Sequence, residues 1–125
     1  MSSNQSDSSA KPENEEYGKV SLGRPAVFYI PSVKLNDPNK NLADELHGFL
    51  LREFGGYTAE RGNIFGYWIE GSHTDYTEHM RYTVSFKGKE RIPILERFLS
   101  RLAKKLGEEA IYLETGEDSW LIYPK

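Results

Sequence analysis

From His79 to Phe86 the chain alternates. Met80, Tyr82, Val84 and Phe86 are large and apolar, and His79, Arg81, Thr83 and Ser85 between them are more polar. A period of two belongs to a strand with one dry face and one wetter face. Two stretches repeat with a helical period instead. Leu42, Leu46, Phe49, Leu50 and Phe54 fall on one stripe, and so do Leu95, Phe98, Leu99, Leu102 and Leu106. Ala26 to Ile30, Tyr57 to Glu70, Ala110 to Glu114 and Trp120 to Tyr123 read as further strands, on their β-branched and aromatic content.

The punctuation between these segments is chemical. Pro31 stops the first strand, and Asn36-Asp37-Pro38-Asn39 has turn chemistry, so Ser32 to Lys40 reads as a polar connection. Asn41, with Asp44 three residues on, predicts a side-chain cap on the first helix. Gly55-Gly56 and Gly107 predict the helix ends, and Pro93 suits the first turn of the second helix. Gly71 to Glu78 reads as an eight-residue connection, longer than a tight hairpin needs.

The predicted order is β-α-β-β-α-β with one more strand. That is an α+β, ferredoxin-like arrangement with two helices on one face of an antiparallel sheet. The expected strand order is 4-1-3-2, with the last strand outside the fourth. The other sheet face is left open. Alternation puts Val27, Tyr29, Arg81, Thr83, Ser85 and Tyr112 on it. In the second strand the parity is open: either Gly66 and Trp68, or Phe65 and Tyr67, share that face. So many rings on an open face suggest an interface, with Tyr29 and Tyr112 as its expected contacts in a homo-oligomer.

Composition narrows the classes. The chain has 125 residues, a formal charge of −3 and no cysteine. Disulfide frameworks, thiolate zinc sites and cysteine nucleophiles are excluded. No apolar run is long enough to cross a membrane, and the N-terminus does not read as a secretory signal, so a cytoplasmic protein is expected. The acidic balance and the absence of an aromatic RNA-recognition pattern disfavour nucleic acid as a partner. Residues 1–24 are Ser-rich with few apolar side chains and read as a disordered polar tail; residues 25–125 form the domain. An alternative use of the tail is partner docking through Glu13, Glu15, Glu16 and Tyr17.

Candidate chemistry gathers in one place. Glu70 to His79 holds His73, Asp75 and His79, which could form an acid–base pair or contact a ligand. Their spacing matches no standard zinc pattern, so no metal or cofactor is expected. Gly55, Gly56, Gly62 and Gly66 cluster nearby; the last two point either to a bulged strand or to close approach by a ligand or a neighbouring subunit. They do not form a phosphate loop, because they follow a helix and enter a strand. His47 reads as a helix-border residue.

The run Phe54-Gly55-Gly56-Tyr57-Thr58, then Gly62 and Gly66-Tyr67-Trp68, followed by Leu106-Gly107-Glu108-Glu109-Ala110-Ile111-Tyr112, resembles a class of small bacterial and phage proteins. No activity travels with that likeness. The topology also resembles PII-like regulators, ferredoxin-like trimers that bind nucleotides in clefts beside a mobile loop; here that loop would be Gly71 to Glu78. The expected function is a non-enzymatic, self-associating domain that binds a small ligand, a nucleotide among the candidates, at subunit clefts. Its contacts would be Trp68, His73, Asp75, His79 and Arg81. The alternatives are a small enzyme using the His73/Asp75/His79 loop, and an interaction module presenting its open sheet.

Overall fold

The computed structural model describes residues 17–61, 64–71, 73–116 and 119–124. Residues 1–16, most of the expected tail, lie outside it, and Tyr17 to Gly23 is exposed. The elements are β1 (Arg24–Pro31), α1 (Ser32–Leu35), α2 (Leu42–Phe54), β2 (Thr58–Glu60), β3 (Phe65–Glu70), β4 (His73–Phe86), α3 (Arg91–Leu106), β5 (Ile111–Glu114) and β6 (Ser119–Ile122).

The sheet runs β2-β4-β1-β5-β6, and β3 also pairs with β4. All pairs are antiparallel. This α+β architecture is consistent with the ferredoxin-like arrangement. The core lies between one sheet face and the helices. It is built from Phe28 and Ile30 on β1, Tyr82 and Val84 on β4, Ile111 and Leu113 on β5, and the apolar stripes of α2 and α3. Near-complete removal of these side chains from water is what favours the folded chain.

The two long helices are antiparallel. Arg91, in the first turn of α3, donates to Glu53 Oε1 near the end of α2 at 3.1 Å. Lys105, in the last turn of α3, donates to Glu45 near the start of α2 at 3.0 Å. Between these ends Phe49 and Phe98 stack, with centroids 3.9 Å apart and planes at 8°. Gly55 takes φ 80° and its N–H closes α2 onto the Leu51 carbonyl. A left-handed residue there is what ends the helix.

Four local expectations are corrected. Part of the polar connection after Pro31 is a helical turn, α1, which carries Leu35 into the core. A single apolar anchor in four residues shows no period. Asn41 makes no side-chain cap; it sits at φ 56°, ψ 29°, a left-handed conformation asparagine tolerates. The strand expected over Tyr57 to Glu70 is broken. Glu60 pairs with Arg81 and Phe65 with Glu78, so five steps on one strand face three on the other. Two extra residues are absorbed there, as in a bulge, although Gly62 itself lies outside the described residues.

The largest correction concerns Gly71 to Glu78. It is not a long loop. Glu70 pairs with His73, so the connection shrinks to a two-residue turn with Gly71 at φ 61°, the sign that tight hairpins demand. The rest is strand. β3 and the first half of β4 form a two-stranded arm, because β1 pairs with β4 only from His79 onward.

Candidate active site

β4 supplies the spine of the open face. Arg81 lies opposite Tyr29 on β1 and opposite Glu60 on β2. Its Nε is 3.4 Å from Glu60 Oε1. On the far side of Tyr29 stands Tyr112 of β5, with ring centroids 5.7 Å apart and planes tilted by 52°. The Tyr112 hydroxyl donates to Glu114 Oε2 at 3.0 Å. The row Tyr112, Tyr29, Arg81, Glu60 therefore crosses four strands, or about 14 Å at about 4.8 Å per strand. It reads as two rings, a cation and a carboxylate. Tyr29 is half-buried and the other three are exposed.

His79 is the next residue of the same parity along β4. Its Nδ1 lies 2.7 Å from the Thr77 carbonyl. A carbonyl can only accept, so Nδ1 carries the proton and a neutral ring leaves Nε2 as an acceptor. The ring also lies over Gly66: a Cβ there would stand 3.0 Å from His79 Cε1. The close approach at Gly66 is thus made by the chain's own imidazole.

The register settles which positions share a face. Residues 73, 75, 79 and 81 have one parity on β4, and Trp68 is paired with Asp75. All five expected contact positions belong to the open-face parity. The side chains of Trp68, His73 and Asp75 lie outside the described set. His73 and His79 do not form a loop constellation. Six residue steps of continuous strand separate them by roughly 20 Å, too far for one ion or one proton relay. Among the described residues no group of three or more His, Cys, Asp or Glu could hold a metal ion.

A second polar cluster sits at the helix-side edge and was missed in the sequence. His47 Nδ1 on α2 is 2.7 Å from the Tyr57 hydroxyl, and the rings meet edge to face. The Tyr57 ring is 5.7 Å from that of Tyr82. Tyr82 is buried, stacks on Phe28, and donates to Met80 Sδ at 3.9 Å, a weak acceptor. Burial, reinforced by Tyr57 and opposed by Arg61, pushes its phenol up to about 12. The signal for the His47–Tyr57 pair was the Gly55-Gly56 reversal, which folds the chain after α2 back along the helix.

No family model and no curated protein matches the chain. Among solved structures it is similar to a phage SAM lyase in complex with S-methyl-5'-thioadenosine, with a TM-score of 0.51 and 16% identity over 81% of this chain and 89% of that one. A phage SAM lyase in the apo state gives a TM-score of 0.48 and 10% identity, over 82% and 90% of the two chains. At such identity the likeness establishes the fold. It also corrects the expectation of a non-enzymatic domain, since the solved protein sharing this fold is an enzyme. No helix among the described residues is long and apolar enough to cross a membrane.

Proposed function

We propose that the chain is a small enzyme of the lyase class acting on a sulfonium nucleoside, SAM, and releasing S-methyl-5'-thioadenosine. The observation that carries this reading is the open-face row of rings, cation and carboxylate. The fold shared with phage SAM lyase supports it.

The ligand's chemistry fits the row from end to end. Tyr112 and Tyr29 offer ring faces and edges to an adenine base. The same rings attract the positive sulfonium. Arg81 binds the amino-acid carboxylate, which a guanidinium can grip through two parallel bonds. Glu60 takes the ammonium. Trp68, His73, Asp75 and His79 extend the site along the arm. The step balances within the substrate: a carboxylate oxygen held near Arg81 forms a C–O bond to the side-chain carbon that carries the sulfonium, closing a five-membered lactone, as the bond from that carbon to sulfur breaks. The sulfur leaves as a neutral thioether, so no proton has to be delivered to it. Rate then depends on orientation and on exclusion of water. A second copy laid over Tyr29 and Tyr112 would supply that cover, and it makes the homo-oligomer part of the same proposal.

The test is to incubate the purified chain with SAM and follow S-methyl-5'-thioadenosine by mass spectrometry. Product should appear, and Arg81→Gln should lower kcat/KM by tenfold or more while leaving the melting temperature within a few degrees. Absence of product, with no SAM binding by calorimetry, overturns the reading. Loss of activity in His47→Ala but not in Arg81→Gln would move the site to the helix-side edge.

A further inference from the structure

We infer that the groove between α2 and α3, on the side of the helices away from the sheet, is a docking surface for an extended acidic segment of a partner protein. The groove encloses about 370 Å³ and is lined by both helices. It is independent of the open face and of the reading given to that face.

Its charge is the first argument. The chain as a whole is acidic, at −3, yet α3 carries five cations against the single carboxylate Glu96. Arg97, Arg101 and Lys105 stand at i, i+4 and i+8, so they form one stripe along the groove. Like charges at this spacing destabilise a helix. Lys105 is answered by Glu45, and Arg52 across the groove lies 3.4 Å from Glu53. Arg97 and Arg101 have no ion-pair partner among the described residues. An anionic occupant would relieve that repulsion.

Spacing selects the occupant. Four residues of helix place Arg97 and Arg101 about 6 Å apart along the axis. Alternate residues of an extended chain repeat at about 6.7 Å. A segment with carboxylates at every second position would match the stripe. Its intervening side chains would point away from the stripe. A nucleic acid fits less well. Phe49 and Phe98 are stacked on each other and buried, leaving no free ring face for a base. A polyanion longer than the groove would also run onto an acidic molecule.

The experiment uses the full chain and a fluorescein-labelled six-residue peptide alternating glutamate and leucine, read by fluorescence anisotropy. Saturable binding is expected, weakening as sodium chloride is raised. It should weaken at least tenfold in R97E/R101E, persist in R97K/R101K, and be unchanged in Arg81→Gln. The same peptide with glutamine for glutamate should not bind. Four results would overturn the inference: equal affinity in R97E/R101E, equal binding of the glutamine peptide, tighter binding of a single-stranded oligonucleotide of the same charge, or peptide binding only after residues 1–16 are deleted. The last would make the chain's own Glu13, Glu15 and Glu16 segment the occupant.

Discussion

The two halves of β4 are one strand in two environments. From His79 to Phe86 it is flanked by β1 on one edge, with β2 on the other opposite Arg81 to Thr83, and its even-numbered side chains enter the core. From His73 to Glu78 it has only β3 beside it. Phe65, Tyr67 and Ile69 of β3 pair with the positions that share the parity of Met80 and Tyr82, yet they stay wet. Phe65 is 42% exposed, Tyr67 67% and Ile69 77%, rising with distance from the core. Alternation in a sequence therefore reports a boundary between a dry and a wet face. It does not report strand as such. Thr74, Asp75, Tyr76, Thr77 and Glu78 form strand without it.

The same residue type in both regions gives the sharpest contrast. Ile30 sits opposite Met80 on β1 and has no exposed surface. Ile30→Ala should destabilise the protein by about 2–5 kcal/mol through lost burial and a residual cavity. For a domain of this size that is a fall of roughly 10 °C or more in melting temperature. Chemical denaturation would measure it directly. A loss below about 1 kcal/mol would mean that the core half is not packed as described.

Tyr82 tests the core half by pH. Its phenol ionises near 10 in an unfolded chain but is pushed up to about 12 when folded, chiefly by burial. Between those values the folded state holds a proton that the unfolded state releases. Stability is therefore unaffected below pH 10 and falls as pH rises from 10 to 12, by up to about 2–3 kcal/mol. Tyr82→Phe should flatten this limb of the stability curve relative to the wild type. Superimposable limbs would show that Tyr82 is hydrated in the folded protein.

Much of the body of the fold is legible in the sequence, because dry faces write themselves into it. The stripes of α2 and α3 and the outward parity of Tyr29, Arg81 and Tyr112 follow from period alone. What was not legible depended on register or on single anchors. Arg81 meets Glu60 only because the strand after Tyr57 absorbs two extra residues before Phe65. Tyr57 reaches His47 only through the reversal at Gly55. The parity left open in β3 is resolved by pairing: Phe65 and Tyr67 share the helix-side parity, yet they are exposed.

At the junction of the two halves, Gly66 and His79 form a coupled pair. Adding a methyl group at Gly66 would press on the imidazole at 3.0 Å and disturb its bond to Thr77. Elsewhere in a strand, replacing glycine by alanine gains roughly 0.5–1 kcal/mol. Gly66→Ala should therefore be neutral or destabilising by up to about 1 kcal/mol in the wild type, yet stabilising in a His79→Ala background. A double-mutant cycle by urea denaturation measures the coupling. Additive effects would show that the ring does not rest on Gly66.

The smallest effect is expected in the arm. Ile69 keeps 77% of its surface in water, so truncation removes little buried area and leaves no cavity. Its place opposite Thr74 is held by backbone pairing, which alanine preserves. Ile69→Ala should change stability by no more than about 0.5 kcal/mol, the cost of a weaker strand former. Set against Ile30→Ala, the ratio of the two losses measures how much of isoleucine's contribution comes from burial and how much from the strand itself. Amide hydrogen exchange adds an independent reading, because an arm paired on a single edge should open at a lower free energy than Met80 to Phe86. If Ile69→Ala instead cost several degrees in a concentration-dependent way, the arm would be covered by a second copy in solution, and the contrast between the halves of β4 would hold only for the isolated chain.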